Sequence, residues 1–169
     1  MPPSPVQLRF ARSADLIEIA QISREQIEQG LHWRYTPDRL RRTLQSPHKN
    51  LVVACAGPVL IGFGIMSYRE ESANLDLLAV KPTYRNRGVG ERIVDWLVTV
   101  ARTAGIGQIF VQVRKRNPGA IRFYERIGFA QIDEHVGYYE GRESAVILCL
   151  TLALQRFEMP SPSGSDPAD

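Results

Sequence analysis

The sequence predicts a single α/β (α+β) domain of about seven β-strands and four helices. Short apolar runs of strand length alternate with segments of helical periodicity, and glycine or proline marks the ends of both. Of the 169 residues, 44% are hydrophobic and 23% are charged, which is typical of a packed globular domain. We assign residues 1–157 to the domain and predict that the Pro-, Ser- and Asp-rich residues 158–169 are disordered.

The first half of the chain is predicted to contain four strands and two helices. The strands cover residues 6–10, 50–56, 60–68 and 75–80, and the helices lie between 13 and 30 and between 36 and 47. Ser13 can cap the first helix, and Gly30 ends it. Thr36 followed by Pro37 is a helix start signal. The turn Gly57-Pro58 joins the second and third strands into a hairpin.

The second half is predicted to contain two helices and three strands. The helices cover 88–104 and 118–127, and the strands cover 109–113, 129 onward and 144–154. Apolar residues recur with a period of 3.6 in the longer helix. Gly105 and Gly128 end the two helices. The predicted order is β-α-α-β-β-β-α-β-α-β-β, without an internal repeat.

The stretch YRNRGVG, residues 84–90, connects a strand to a helix and has the properties of an anion site. A helix N-terminus presents unpaired N–H groups and a partial positive charge. Gly88 and Gly90 allow a ligand to approach the backbone, and Arg85 and Arg87 are suitable donors to phosphate oxygens. By itself such a stretch is more often a tight turn with solvated arginines. The chain lacks the Walker pattern, and Ile93 occupies the place of the last glycine of a dinucleotide fingerprint.

Composition and charge exclude several classes of protein. The net charge of +3 is compatible with an anionic ligand but does not require nucleic acid. The basic stretch 114–116 has no interleaved aromatic residues, so nucleic-acid binding is not expected. We see neither a membrane-spanning run nor a signal peptide. Cys55 and Cys149 lie in apolar strands and are expected to be reduced, buried thiols in a cytoplasmic protein. A disulfide between them would require their two strands to be neighbours.

Two segments resemble the GNAT superfamily of acetyl-CoA-dependent N-acetyltransferases. LLAVKPTYRNRGVGERIVDWLV resembles the family's motif A, with its Q/R-x-x-G-x-G/A pattern after a strand, and VQVRKRNPGAIRFYERIGF resembles the strand and helix that follow. The opening LRFARSADLIEIAQ also resembles the family's first strand and helix. The ending GYYEGRESAVILCL resembles bacterial ribosomal-protein alanine N-acetyltransferases. The resemblance implies a mixed, mostly antiparallel sheet whose strands splay at the acetyl-CoA site.

The resemblance also implies which residues bind acetyl-CoA. Backbone groups of Leu78, Ala79 and Val80 would pair with the pantetheine arm. The pyrophosphate would lie on the turn formed by Arg85, Asn86, Arg87, Gly88, Val89, Gly90 and Glu91. Asn117 would contact the pantetheine region, although its place before Pro118 also suits a helix cap. No metal is implied.

Tyr124 matches the family's general acid, which would protonate the departing CoA thiolate. Without the matched segment around it, a tyrosine at this position would be interpreted as a core aromatic. The related ribosomal-protein enzymes carry a glutamate base where this chain has Gln112, and an amide cannot accept a proton near neutral pH. Asp76 is one candidate base, expected on the same strand face as Leu78 and Val80. It could equally be a strand carboxylate paired with an arginine. Glu134 and His135 are further candidates, and the amine could also arrive already deprotonated.

The acceptor pocket of the family suggests that Trp33, Tyr35, Tyr138 and Tyr139 line the substrate side, although ordinary packing between helix and sheet explains them slightly better. A protein N-terminus and a small-molecule amine both remain open as acceptors. A catalytically weak CoA-binding regulatory module is the alternative to an enzyme. Dimers are common in the family, so a homodimer is also open.

Overall fold

The computed structural model describes residues 2–153. The elements in chain order are β1 (Val6–Phe10), α1 (Leu16–Gln26), α2 (Pro37–Gln45), β2 (Lys49–Ala56), β3 (Val59–Tyr68), β4 (Ser72–Val80), α3 (Val89–Thr103), β5 (Gln108–Arg114), α4 (Pro118–Arg126), β6 (Ala130–Tyr139) and β7 (Glu143–Thr151). The predicted order of strands and helices is confirmed. The predicted disordered tail and the end of the predicted domain lie outside the described residues.

The first helix is shorter than predicted. A single 3₁₀ turn, Ser13–Asp15, precedes α1, which ends at Gln26 rather than at Gly30. The Asp15 carboxylate, rather than Ser13, accepts a 2.7 Å hydrogen bond from the backbone N–H of Arg12 at this entrance. The residues between α1 and α2 are therefore a loop.

All seven strands form one sheet in the order β1-β2-β3-β4-β5-β7-β6. Neighbouring strands are antiparallel except β4 and β5, which are parallel, so the sheet is mixed and mostly antiparallel, as predicted. One buried cluster joins α3 and α4 to one face of the sheet, and a second joins α1 and α2 to the other.

The splay between β4 and β5 is visible in their pairing. Only Ser72 to Leu75 of β4 pair with Gln108 to Val111 of β5, although β4 continues to Val80 and β5 to Arg114. Beyond this point, one edge of each strand faces an opening rather than a partner.

A β-bulge at Asp76 overturns one expectation. Met66 pairs with Leu75 and Ile65 pairs with Leu77, so Asp76 is the extra residue. Because of this insertion, Leu78 packs toward the α3 face, whereas Asp76 bonds side chains on the α1 face. The prediction that Asp76 shares a face with Leu78 and Val80 is wrong, because the period of two is interrupted at Asp76 itself.

Helix α3 lies close to β3 because the strand carries glycines beneath it. A Cβ atom on Gly64 would lie 2.8 Å from Ile93 and 3.0 Å from Leu97. This contact fixes the helix against the sheet and so fixes its N-terminus near the end of β4.

Cys55 and Cys149 are both free, as expected, and their strands β2 and β7 are not neighbours in the sheet. Cys149 is buried, whereas Cys55 is only half-buried. Among residues 2–153, no helix has the length and apolar character needed to cross a membrane.

Candidate active site

A cavity of about 930 Å³ lies where β4 and β5 separate. Leu78 and Gln112 line it from the two strands, and Tyr124 lines it from α4. The loop between α1 and α2 and the turn between β6 and β7 close it on the other side. The splay thus creates a site that no single element contains.

The turn before α3 has the backbone of an anion site. Gly88, with a φ of 77°, and Asn86, with a φ of 60°, adopt the left-handed conformation, and no side chain caps α3. Val89 is buried in the core and the side chain of Glu91 is exposed, so both could contribute their backbone N–H groups.

Gly90 has a packing role that the sequence did not reveal. A Cβ atom there would lie 3.3 Å from the ring of Phe123 on α4. Gly90 therefore lets α4 approach α3, while the conformational requirement for glycine falls on Gly88.

The two arginines of the turn differ in their contacts. Arg85 donates to the carbonyl of Val80 at 3.1 Å and to Oε1 of Gln26 at 2.7 Å. Arg87 lies over the ring of Tyr84, with its guanidinium carbon 5.6 Å from the ring centre. Arg85 thus ties the turn to α1, and Arg87 is the less constrained cation.

The residues predicted to face the pantetheine arm lie at the end of β4. Leu78 lines the cavity, whereas the side chain of Ala79 is buried in the second core. This end of β4 is paired on one edge only, where Leu78 lies opposite Gly64, Ala79 opposite Phe63 and Val80 opposite Gly62. Asn117 lines the cavity and caps α4, because its Oδ1 accepts from the N–H of Ala120 at 3.1 Å.

Tyr124 is held by aromatic contacts. Its ring lies edge-to-face with Phe123 at 5.1 Å and with Phe129 at 5.3 Å. Burial raises the pKa of Tyr124 well above its ordinary value, so the phenol stays neutral and keeps its proton at neutral pH. No hydrogen bond to its hydroxyl is formed by the residues the structure describes.

Gln112 and Asp76 belong to one hydrogen-bond network that crosses three strands. Nε2 of Gln112 donates to Oδ1 of Asn74 at 2.8 Å, and Nδ2 of Asn74 donates to Oδ1 of Asp76 at 2.8 Å. The hydroxyl of Ser67 donates to the other oxygen of Asp76. No arginine pairs with Asp76 in the described part of the chain. The splayed strands place the only carboxylate of the network at the cavity wall.

The loop between α1 and α2 is fastened by the buried side chain of Glu28. Its carboxylate accepts hydrogen bonds from the backbone N–H of Arg34 at 2.7 Å and of Tyr35 at 3.3 Å, and from Ser23 at 3.0 Å. These bonds hold Tyr35 at the cavity.

Arg114 and Glu140 fasten the same loop from outside. Arg114 pairs with Glu143 at 2.5 Å and donates to the carbonyl of Gln29 at 2.8 Å. Glu140 accepts from the N–H of His32 at 2.7 Å. The hydrogen bonds from Arg114 hold the pKa of Glu143 below its ordinary value, so this contact stays ionic at neutral pH.

Three of the four aromatic residues predicted for the acceptor side line the cavity: Tyr35, Tyr138 and Tyr139. Burial raises the pKa of Tyr139 to about 12, so it too is neutral. Trp33 lies elsewhere, packed against the second core with Arg24 5.1 Å from its ring centre. Its indole N–H is buried without a partner among the described residues.

The remaining candidates lie away from the cavity lining. Glu134 pairs with Lys115 at 2.6 Å, and His135 is exposed and stacks edge-on against Tyr138. Arg114 and Arg116 both pair with Glu143, so all three cations of the basic stretch have acidic partners. Within residues 2–153, no three His, Cys, Asp or Glu side chains form a group that could hold a metal ion.

Sequence reasoning missed the roles of Asn74, Ser67, Glu28 and Glu140. Asn74, Ser67 and Glu140 bond residues on other strands or loops, so no local pattern marks them. Glu28 bonds residues five to seven positions away, across the turn that follows α1.

Comparison with known proteins identifies the family. The profile of the acetyltransferase (GNAT) family matches residues 15–129, which is more than half of the chain. This chain is a member of the GNAT acetyltransferase family. The family, the fold and the enzyme class predicted from the sequence are therefore confirmed.

Several relatives are similar over much of the chain. The [ribosomal protein bS18]-alanine N-acetyltransferase of Escherichia coli K12 is 30% identical over 98 residues, which are 56% of this chain and 66% of that protein, slightly under two thirds of its length. The N-alpha-acetyltransferase RimI of Mycobacterium tuberculosis is 27% identical over 80% of this chain and 85% of its own. The crystal structure of the ribosomal-protein-S18-alanine N-acetyltransferase from Escherichia coli superposes with a TM-score of 0.76 at 23% identity, covering 92% of this chain and 99% of that one.

Proposed function

We propose that this GNAT member transfers the acetyl group of acetyl-CoA to the N-terminal amine of a protein by direct attack. The observation that carries the proposal is the cavity at the splay, which brings a neutral phenol, Tyr124, into the same space as the carboxylate network of Asp76 and Gln112. One group is suited to give a proton and the other to take one.

The residues around the splay fit the cosubstrate. The uncapped N-terminus of α3, with Gly88 in the left-handed conformation, would hold the pyrophosphate between Arg85 and Arg87. The unpaired edge of β4 near Leu78 would hold the pantetheine arm, with Asn117 on the opposite side. Acetyl-CoA would supply an activated thioester carbonyl to this site.

The residues of the site then have distinct tasks. Tyr124 would donate a hydrogen bond, and finally the proton, to the sulfur as negative charge develops on it. Oε1 of Gln112 has no partner among the described residues and would accept a hydrogen bond from the amine, which orients it. Asp76 keeps lone pairs beyond those taken by Asn74 and Ser67, and would receive the amine proton through a water molecule.

A protein N-terminus is favoured over a small amine by the shape of the site. A second cavity meets the first at Tyr35, Asp76, Gln112 and Tyr138. A polypeptide attached to the amine can therefore extend from the first cavity into the second. The relatives with this activity in their names support the same acceptor. The cytoplasmic location and the homodimer remain predictions.

Cosubstrate binding is tested by calorimetric titration of acetyl-CoA. We expect binding in the micromolar range, and at least about tenfold weaker binding for an Arg85→Ala/Arg87→Ala variant, since each arginine contributes about one charge-assisted hydrogen bond. Arg42→Ala, an exposed arginine on α2 that lines neither cavity, is the control. Unchanged affinity in the double variant would remove the turn from the binding site.

The base is tested with peptide acceptors and two variants. Asp76→Asn should lower kcat about 100-fold, because the only carboxylate of the network is lost. Ser67→Ala, which keeps the carboxylate, should have a much smaller effect. Full activity of Asp76→Asn at neutral pH would mean that the amine arrives deprotonated.

The variant Gln112→Glu places a second carboxylate near Asp76, with the side-chain amide of Asn74 between the two. The introduced carboxylate can accept a proton near the reacting amine, which the amide of Gln112 cannot do, so the pH–rate profile should change. A higher rate with peptides at neutral pH would show that the introduced glutamate acts as a base. An unchanged rate and profile would exclude this position from the reaction.

A further inference from the structure

The second cavity has a volume of about 550 Å³ and lies on the face of the sheet that carries α2. It shares Tyr35, Asp76, Gln112 and Tyr138 with the first cavity, so the two meet at the proposed point of amine attack. Whatever is attached to the reacting amine can therefore extend into the second cavity without displacing the acetyl donor.

The charged side chains of the second cavity are strongly biased toward positive charge. Arg39, Lys49 and Arg69 line it, and Asp76 is its one carboxylate. Asp76 is already engaged by Ser67 and Asn74. The cavity therefore presents three cations against one carboxylate, which leaves an excess of positive charge.

These cations differ in their pairing from the basic stretch 114–116. In the described part of the chain, Arg39, Lys49 and Arg69 form no ion pair, whereas each residue of the stretch 114–116 has a carboxylate partner. Arg39 is further held by stacking, with its guanidinium carbon 4.1 Å from the centre of the Tyr35 ring. Arg39 and Lys49 are half-buried, which reduces the screening of their charge by solvent.

We infer that the second cavity selects acceptors with carboxylates close to the reacting amine, namely protein N-termini followed directly by Asp or Glu. This inference rests on the proposed function and adds to it the chemical class of the acceptor. Basic N-terminal sequences would meet three like charges in the same space.

A peptide is favoured over a free acidic amino acid because the cations are distributed over α2, the start of β2 and the residue that follows β3. A free acidic amino acid has two carboxylates that lie close together, whereas successive acidic side chains of a peptide can reach cations on separate segments.

The test compares three peptides with the same N-terminal alanine and with Asp/Glu, Gln or Lys at the next three positions. We expect kcat/KM for the acidic peptide to exceed that for the basic peptide by at least about tenfold at low salt, and the ratio to shrink as salt is added. The double variant Lys49→Glu/Arg69→Glu should abolish or invert the ratio. Arg42→Glu changes the charge of α2 outside both cavities and should leave the ratio as it is.

The possible outcomes separate the inference from the proposed function. Equal rates for all three peptides, or a preference for the basic one, would overturn the acidic specificity and leave peptide acetylation intact. Acetylation of free aspartate or glutamate without acetylation of any peptide would overturn the peptide acceptor. If the double variant does not fold, the salt dependence of the wild-type ratio still decides, because a preference that salt does not reduce is not carried by these cations.

Discussion

Replacing Tyr124 with phenylalanine is expected to lower kcat by about two to four orders of magnitude, the usual contribution of a positioned proton donor. The change removes only the hydroxyl, so the edge-to-face contacts with Phe123 and Phe129 are retained. The affinity for acetyl-CoA, measured by calorimetry, should remain within a factor of a few. Steady-state kinetics with a fixed peptide acceptor provide the measurement.

Phe123→Leu is the matched control for this substitution, because it alters the neighbouring aromatic packing without removing a proton donor. Its effect should appear mainly in thermal stability. Wild-type kcat in Tyr124→Phe would remove the phenol from the mechanism and return Tyr124 to a core aromatic.

The raised pKa of Tyr124 also predicts how stability and kcat depend on pH at the alkaline end. Burial favours the neutral phenol, so its pKa in the folded protein lies above the value of about 10 in the unfolded chain. The stabilising contribution is fully present below pH 10 and is lost as the pH rises above it. We therefore expect no alkaline loss of kcat from Tyr124 below about pH 10.

Replacing Glu28 with alanine is expected to destabilise the protein by about 2–4 kcal/mol and to raise KM for the acceptor. The substitution leaves the N–H groups of Arg34 and Tyr35 and the hydroxyl of Ser23 without their acceptor, and each unsatisfied buried group costs about 1–3 kcal/mol. Urea unfolding measures the stability, and the acceptor KM reports on the position of Tyr35.

Glu28→Gln is the conservative partner of this change. One amide oxygen can still accept from Arg34, and the amide nitrogen can donate to Ser23, so the loss should be less than half of that in the alanine variant. Restored acceptor KM in Glu28→Gln, together with a raised KM in Glu28→Ala, identifies Glu28 as a residue that positions the loop. A loss of stability without any change of KM would limit Glu28 to a structural role.

Local sequence patterns were sufficient for most of the fold. Hydrophobic periodicity and the glycine and proline signals depend on neighbours within a few residues, so the order of strands and helices was predictable. The first helix was predicted to be too long. Gly30 ends an ordered segment, but the residues after Gln26 are held by hydrogen bonds to Glu28 rather than by helical hydrogen bonds.

The sequence by itself determined the fold, and it marked both the turn that we propose to bind phosphate and Tyr124 as the proton donor to test. These features lie within short continuous segments whose chemistry depends on local order. Only the tertiary structure decided the place of Asp76, because a single bulge reverses the face of every later side chain on β4. It alone also joined Arg39, Lys49 and Arg69 around one cavity, since charges from distant segments come together only when the sheet has formed.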